Sequence, residues 1–174
     1  MTRTTVPSTS AKSTHSDTIV PQAVVYQVSD LPYGQHTVKL TKAGGSVATI
    51  DGLRLDRSID QDDPAISYSG PWTTSANRGL GDFNDDVRMT AENGASVTVP
   101  FTGTRIEVRT ETNSDQGQVD VYIDGRYRKT VDTYSPTRVA QQPVFTADLL
   151  DGYHTLRLVK KSGQYLVVDR FTIR

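Results

Sequence analysis

The residues best suited to chemistry are concentrated between Tyr68 and Val87, which reads YSGPWTTSANRGLGDFNDDV. Asp82, Asp85 and Asp86 stand close together in a Gly-rich loop, with Asp62 and Asp63 shortly before them. Calcium takes roughly six to eight hard oxygen ligands, and carboxylates with backbone carbonyls in such a loop supply them. The spacing is not that of a helical calcium loop, and the same side chains suit turn capping or hydrogen bonds to ligand hydroxyls. Trp72, the single tryptophan, offers a flat π face on which a pyranose ring could stack, or an anchor packed under the loop. Arg78, Glu111, Asn113, Asp115 and Gln118 fall at loop or strand-end positions. Arg and carboxylate groups together suit recognition of sugar hydroxyls or a uronic acid. They equally suit a salt bridge, Arg78 with Asp115 or Glu111, that pins two loops. Tyr134 and Arg138 flank Ser135-Pro136 in another polar loop and carry the same two readings.

No constellation for catalysis accompanies these groups. His36 and His154 are isolated from any Ser or Cys nucleophile motif and do not make a metal site. Paired carboxylates can hydrolyse glycosides, but they need a cleft that nothing in the sequence provides. The chain has no cysteine, so it has no disulfide framework and no thiolate chemistry. A net charge of −1 gives no electrostatic case for nucleic acid or an anionic membrane surface. No run approaches the roughly 18 apolar residues of a membrane span. The N-terminal stretch from Met1 to Lys12 lacks the apolar centre of a secretory signal. Either export by that route is absent or the chain is part of a larger exported protein.

The elements that must position these residues read as strands. Residues 1–21 are Ser/Thr-rich and match a flexible arm or linker. From Ala23 the pattern changes: Ala23–Val28 is strand-like, Ser29–Gly34 is a turn cluster, His36–Thr41 alternates with period two, and Val47–Leu55 follows a Gly44-Gly45 turn. The same grammar returns at the C-terminus. Gly34 matches Gly152, His36-Thr37 matches His154-Thr155, Lys42 matches Lys160 and Asp51 matches Asp169, every pair 118 positions apart. Residues 22–55 are thus a partial repeat, the closing strands of a module, and residues 56–174 are a complete one. Within it strands are expected at Ala65–Tyr68, Val87–Thr90, Ala95–Phe101 and Thr104–Thr110 (on either side of a Gly103 turn), Gln118–Ile123 and Arg126–Val131, then Val144–Thr146 and two more. Asp124-Gly125 between alternating strands is a strong hairpin signal. No stretch of ten residues shows a helical period. The expected class is all-β, an antiparallel β-sandwich of the jelly-roll kind preceded by a β half-module.

Several motifs together carry a resemblance. They are Asp62-Asp-Pro-Ala-Ile-Ser-Tyr-Ser-Gly-Pro-Trp72, Asn77-Arg-Gly-Leu-Gly-Asp82, Asp85-Asp86-Val87, Phe101-Thr-Gly-Thr104, Glu111-Thr-Asn-Ser-Asp115, Val119-Asp-Val-Tyr-Ile-Asp-Gly125 and Lys129–Arg138. The module resembles the galactose-binding-domain-like β-sandwich repeats found in bacterial secreted and surface proteins, many of them glycoside hydrolases. The resemblance implies a non-catalytic accessory role, most often carbohydrate binding. The chain departs from that pattern at Val87-Arg88-Met89, where a His-Tyr type pair is common. The expectation is therefore a carbohydrate-binding module with no enzymatic activity. Its glycan or polysaccharide would be held by Trp72, Arg78, the acidic cluster, Glu111, Asn113, Asp115, Tyr134 and Arg138. A structural calcium at Asp82, Asp85 and Asp86 would be its sole cofactor. No nucleic acid or membrane partner is expected, and the setting is extracellular or on a cell surface. The alternative is an assembly module of a surface or virion protein, which self-associates or completes a sandwich by strand addition through residues 23–55.

Overall fold

The computed structural model describes residues 26–28, 36–50 and 52–174. The expected arm at 1–21, the start of the strand at Ala23, the turn at Ser29–Gly34 and Asp51 lie outside the described residues. The chain divides into two compact units, Met1–Leu53 and Arg54–Arg174.

The second unit contains ten strands. They are β1 (Arg57–Asp60), β2 (Ser67–Ser69), β3 (Thr73–Ala76), β4 (Asp86–Thr90), β5 (Ser96–Thr112), β6 (Gln118–Ile123), β7 (Arg126–Asp132), β8 (Val139–Lys160), β9 (Leu166–Val168) and β10 (Arg170–Ile173). The larger sheet runs β1-β10-β5-β8-β6-β7, with β2 also on β5, and the smaller runs β3-β4-β9. All these strand pairs are antiparallel. Among the described residues there is no α-helix. A 3-10 turn at Phe83–Asp85 leads into β4. Successive side chains point to opposite faces of a strand, so alternate residues enter the core. Val97, Val99, Ile106 and Val108 of β5, Val119 and Val121 of β6, Leu156 and Leu158 of β8 and Phe171 and Ile173 of β10 do so. Leu166 and Val168 of the smaller sheet join the same core, which makes the unit a sandwich.

Local sequence placed most of these strands, but three expectations needed correction. Val144–Thr146 and the strand expected after it are one continuous strand, β8. Gly103 is not a hairpin turn. β5 runs through it with a register shift between Gly103 and Arg105, and β8 pairs along its whole length. Glycine is required there by close approach: a Cβ would collide with the Arg174 carbonyl oxygen. The third correction concerns β1 and β3, which have almost no apolar alternation (RSID and TTSA) and were not expected. β1 gains its place by pairing with β10, Arg57 opposite Ile173, so the module's start lies on its end. Asp124-Gly125 does form the expected β6–β7 turn, with φ of 52° and 73°.

In the first unit the described residues hold no strand at His36–Thr41 or at Val47–Ile50, and the same is true of 52–55 in the linking stretch. A one-faced strand needs neighbours to take its backbone hydrogen bonds and cover its apolar side.

Gly117 and Gly163 bring two loops together backbone to backbone. A Cβ on Gly117 would lie 2.7 Å from the Gly163 amide nitrogen. Gly117→Ala is expected to destabilise the fold by about 1–3 kcal/mol through overpacking. Gly152→Ala, whose Cβ would meet nothing closer than 3.9 Å, is expected to stay within about 0.5 kcal/mol of wild type. Urea unfolding of the two variants checks the contrast.

Candidate functional site

Three loops meet at one end of the sandwich: residues 77–85 before β4, 113–117 after β5, and 133–138 after β7. The first is held in shape by left-handed residues, Asn77, Gly79, Gly81, Asn84 and Asp85. Asp85 braces it from within, its carboxylate accepting the Gly79 N–H at 2.5 Å and its own N–H reaching the Asp82 carbonyl at 3.2 Å. The second and third loops are stitched by backbone. The Asn113 N–H donates to the Thr133 carbonyl, and the Ser135 N–H donates to the Asn113 carbonyl. The Thr133 N–H and hydroxyl both donate to the Gly117 carbonyl.

Glu111, at the end of β5 and 2% exposed, ties all three. Its Oε2 accepts from Arg78 Nη2 of the first loop at 2.5 Å and lies 3.4 Å from Arg138 Nε of the third. Its Oε1 accepts from Gln116 Nε2 of the second at 3.0 Å. Arg78 Nε also lies 3.3 Å from Asp82 Oδ2, and both side chains are buried. Of the two alternatives for Arg78, the pin is Glu111; Asp115 instead uses its carbonyl to accept the Gln164 and Tyr165 N–H groups.

Beneath the first loop lies a buried polar cluster the sequence did not single out as a site. Asp169, fully buried, accepts the Phe83 N–H at 3.1 Å and the Gln141 side-chain amide. Burial pushes its carboxyl up to about 7, with the Asp82 and Asp60 carboxylates adding to the rise against the Phe83 hydrogen bond. Burial likewise raises Asp82, countered by Arg78 and Arg138. The Arg170 guanidinium lies 5.0 Å from the Phe83 ring centre, and Asn84 donates to the Asp60 carboxylate. The signal in the sequence was the Asp51–Asp169 repeat, which marks a position without revealing its partners.

The expected site is therefore partly assembled. Arg78, Asp82, Glu111, Asn113, Tyr134 and Arg138 come together at the loop end. Tyr134, 56% exposed, and the part-exposed Arg138 side chain reach solvent there. Trp72 joins a different cluster: its ring meets Tyr68 edge-on at 4.9 Å, its indole N–H donates to the Ser69 carbonyl, and it packs on the core. Gln118 serves β6. Of the three aspartates expected at a calcium, Asp82 faces Arg78, Asp85 braces its own loop and Asp86 lies in β4 opposite Ala76. Among the described residues no three acidic, His or Cys side chains gather for a metal. A separate groove of about 460 Å³ lies at the smaller sheet, lined by Pro71, Thr73, Met89, Glu92 and Tyr165 among others. Of Val87, Arg88 and Met89 only Met89 reaches it; Val87 is buried and Arg88 lies over the Tyr68 ring at 4.5 Å.

Glu111→Ala leaves Arg78 and Arg138 without their shared acceptor. The expected loss is about 3 kcal/mol by chemical denaturation, the scale of a broken buried pair. For Asp169 the acid form is favoured in the fold, so the folded state binds more protons than the unfolded one between about pH 4 and 7. Stability contributed by this group is present at the acid end and is lost as pH rises through about 7. Asp169→Asn is expected to flatten that fall, read as urea midpoints at pH 5 and pH 7.5.

Comparison with known proteins places this geometry in a family. The model for the carbohydrate esterase 2 N-terminal domain matches residues 80–171. Two curated proteins of Flavonifractor plautii are similar. One is an "A type blood N-acetyl-alpha-D-galactosamine deacetylase", 35% identical over 102 residues, which are 58% of this chain and 13% of that protein. The other is an "A type blood alpha-D-galactosamine galactosaminidase", 32% identical over 114 residues, which are 66% of this chain and 10% of that protein. The chain thus spans about a tenth of the length of these relatives. Among solved structures, a Paenibacillus cycloisomaltooligosaccharide glucanotransferase matches with a TM-score of 0.53 at 18% identity, over 67% of this chain and 18% of that one. At that identity the likeness is one of fold. The loop-ended sandwich and the match over more than half its length identify the chain as a member of the carbohydrate esterase 2 N-terminal domain family.

Proposed function

We propose that this chain is a non-catalytic carbohydrate-binding module that holds its glycan at the loop end of the sandwich. One observation carries the reading: the buried Glu111 gathers three loops, and the third of them exposes both Tyr134 and Arg138 to solvent. A tyrosine face offers a platform for the C–H side of a sugar ring, and a part-exposed guanidinium in the same loop can donate to ring hydroxyls. Backbone groups of the stitched loops add fixed donors and acceptors around that platform. The acids nearby are poor candidates for catalysis. Glu111 already accepts from Arg78 and Gln116 and is ion-paired with Arg138, and Asp82 is buried against Arg78. The family and the carbohydrate-active relatives support this reading. The relatives' names point to glycans that end in galactosamine or its N-acetyl form as the first to try. The setting proposed is a larger exported carbohydrate-active protein, in which the module keeps substrate close to a catalytic domain.

A glycan array that includes such termini, run with and without calcium, tests the proposal. Tyr134→Ala and Arg138→Ala are each expected to weaken binding at least fivefold while leaving the unfolding midpoint near wild type. Trp72→Ala is expected to lower stability more than affinity. Binding is expected to be the same with and without calcium. Full binding by the Tyr134 and Arg138 variants would overturn the placement of the site.

A further inference from the structure

The outer face of the larger sheet carries a row of side chains outside the loop-end site. Residues opposite one another on paired strands point to the same face, so register places the row. Tyr127 of β7 is opposite Tyr122 of β6, and Tyr122 is opposite Arg157 of β8. Arg157 is opposite Thr98 of β5, and Thr98 is opposite Ser67 of β2. The strand neighbours Val121, Ile123, Leu156, Leu158, Val97 and Val99 are core, so the row points the other way. Strands lie about 4.8 Å apart, which makes the row roughly 19 Å long from Tyr127 to Ser67. Tyr127, Arg157 and Ser67 are exposed along it, and Tyr122 and Thr98 are half-buried.

Regular pairing would not give this row. Val121 is opposite Lys129, so an unbroken ladder would set Tyr127 opposite Ile123, on the core side. A bulge at Arg128 shifts the register by one and brings Tyr127 opposite Tyr122 instead. Bulges re-aim side chains and are over-represented beside functional sites. This one takes an aromatic ring from the apolar side of β7 and leaves it 55% exposed. The Tyr122 and Tyr127 ring centres are 5.7 Å apart at 71°, and the Tyr127 and Thr130 hydroxyls share a hydrogen bond of 2.9 Å. The Arg157 guanidinium lies 5.9 Å from the Tyr122 ring centre, a contact that orients it without using its N–H donors. Among the described residues no carboxylate lies within ion-pair distance of Arg157. Asp120, two residues along β6 on the same face, accepts from Thr130 and pairs with Lys161 at 3.3 Å.

We propose that this row binds an acidic polysaccharide, with a carboxylate or sulfate group on Arg157 and a sugar ring on Tyr127. A planar guanidinium with free donors matches an anion that offers two oxygens. The tyrosine face takes the C–H side of the ring, and the Thr98 and Ser67 hydroxyls beyond Arg157 can bond sugar hydroxyls. An open, flat row that crosses five strands suits a chain lying lengthwise, where a loop-rimmed end suits a terminal residue. The proposal goes beyond the loop-end reading and does not rest on it. The two surfaces share no residue, and a silent loop end would leave this one standing.

Affinity electrophoresis of the full chain tests it, in native gels that contain polygalacturonate, dextran sulfate, neutral dextran or poly-glutamate. Each mobility is referred to a gel without polymer, and the first two polymers separate carboxylate from sulfate as the anion. Retardation is expected from at least one acidic polysaccharide and from neither dextran nor poly-glutamate. Arg157→Gln is expected to weaken it by about tenfold, the scale of a hydrogen bond to a charged group. Arg157→Lys should recover only part of that loss, since an ammonium keeps the charge and lacks the fork. Tyr127→Ala is expected to weaken it about threefold, with a urea midpoint near wild type. Lys161→Gln removes a neighbouring charge outside the row and should change retardation by less than about twofold in 0.15 M salt. Three results would overturn the proposal. The first is free migration of the wild-type chain in both acidic polysaccharides. The second is equal retardation by poly-glutamate, which would make the face a surface for acidic protein. The third is a loss in Lys161→Gln as large as that in Arg157→Gln, which would reduce the effect to net charge.

Discussion

One buried carboxylate organises the loop end. Glu111 sits where β5 leaves the core, and water cannot solvate it there. A charge in that position needs strong donors, and three parts of the chain supply them: Arg78, Gln116 and Arg138. Each donor comes from a different loop, so satisfying the charge fixes the loops relative to one another. Tyr134 is placed as a consequence, since its loop is held both by Arg138 and by the backbone bonds to Asn113. The first loop has further anchors beneath it in the Asp169–Phe83 hydrogen bond and the Arg170–Phe83 contact. Rigid loops suit weak glycan binding, because little ordering entropy remains to be lost when the ligand arrives.

How much of this was legible in the sequence depended on the range of the interaction involved. The Asp124-Gly125 turn is local, and two residues with positive φ between alternating strands leave few other conformations. The alternation of β6 likewise marks its buried face directly. Gly103 misled because glycine has two uses, a turn or a close approach, and the Arg174 carbonyl that decides between them is distant in sequence. β1 and β3 were silent because edge strands need little apolar pattern of their own.

The site was legible as a set of residues and not as an arrangement. Arg78 was seen to pair with either Glu111 or Asp115, and charge alone cannot choose; Glu111 is buried next to the inward-facing Thr110, where the alternation of β5 breaks at a register shift, and no pattern in the sequence marks that break. Trp72 had two readings as well; in the fold it meets the Tyr68 ring edge-on and packs against the core. The aspartates of the Gly-rich loop looked like cation ligands because they lie close in sequence. In the fold the Asp82 side chain lies against an arginine, the Asp85 side chain accepts from a loop amide, and Asp86 takes its place in a strand. Asp169 was invisible as a support for the loop, since its partner is a backbone N–H far along the chain. The loop-end site and the groove at Met89 and Tyr165 are distinct surfaces, and the account stands on the first.

Amide chemical-shift mapping during titration with a glycan identified on the array tests that most directly. The account predicts the largest shifts at Asn113, Tyr134, Arg138 and the Gly79–Gly81 turn, with small ones at Thr73, Met89 and Tyr165. Largest shifts in the groove, with a quiet loop end, would contradict it.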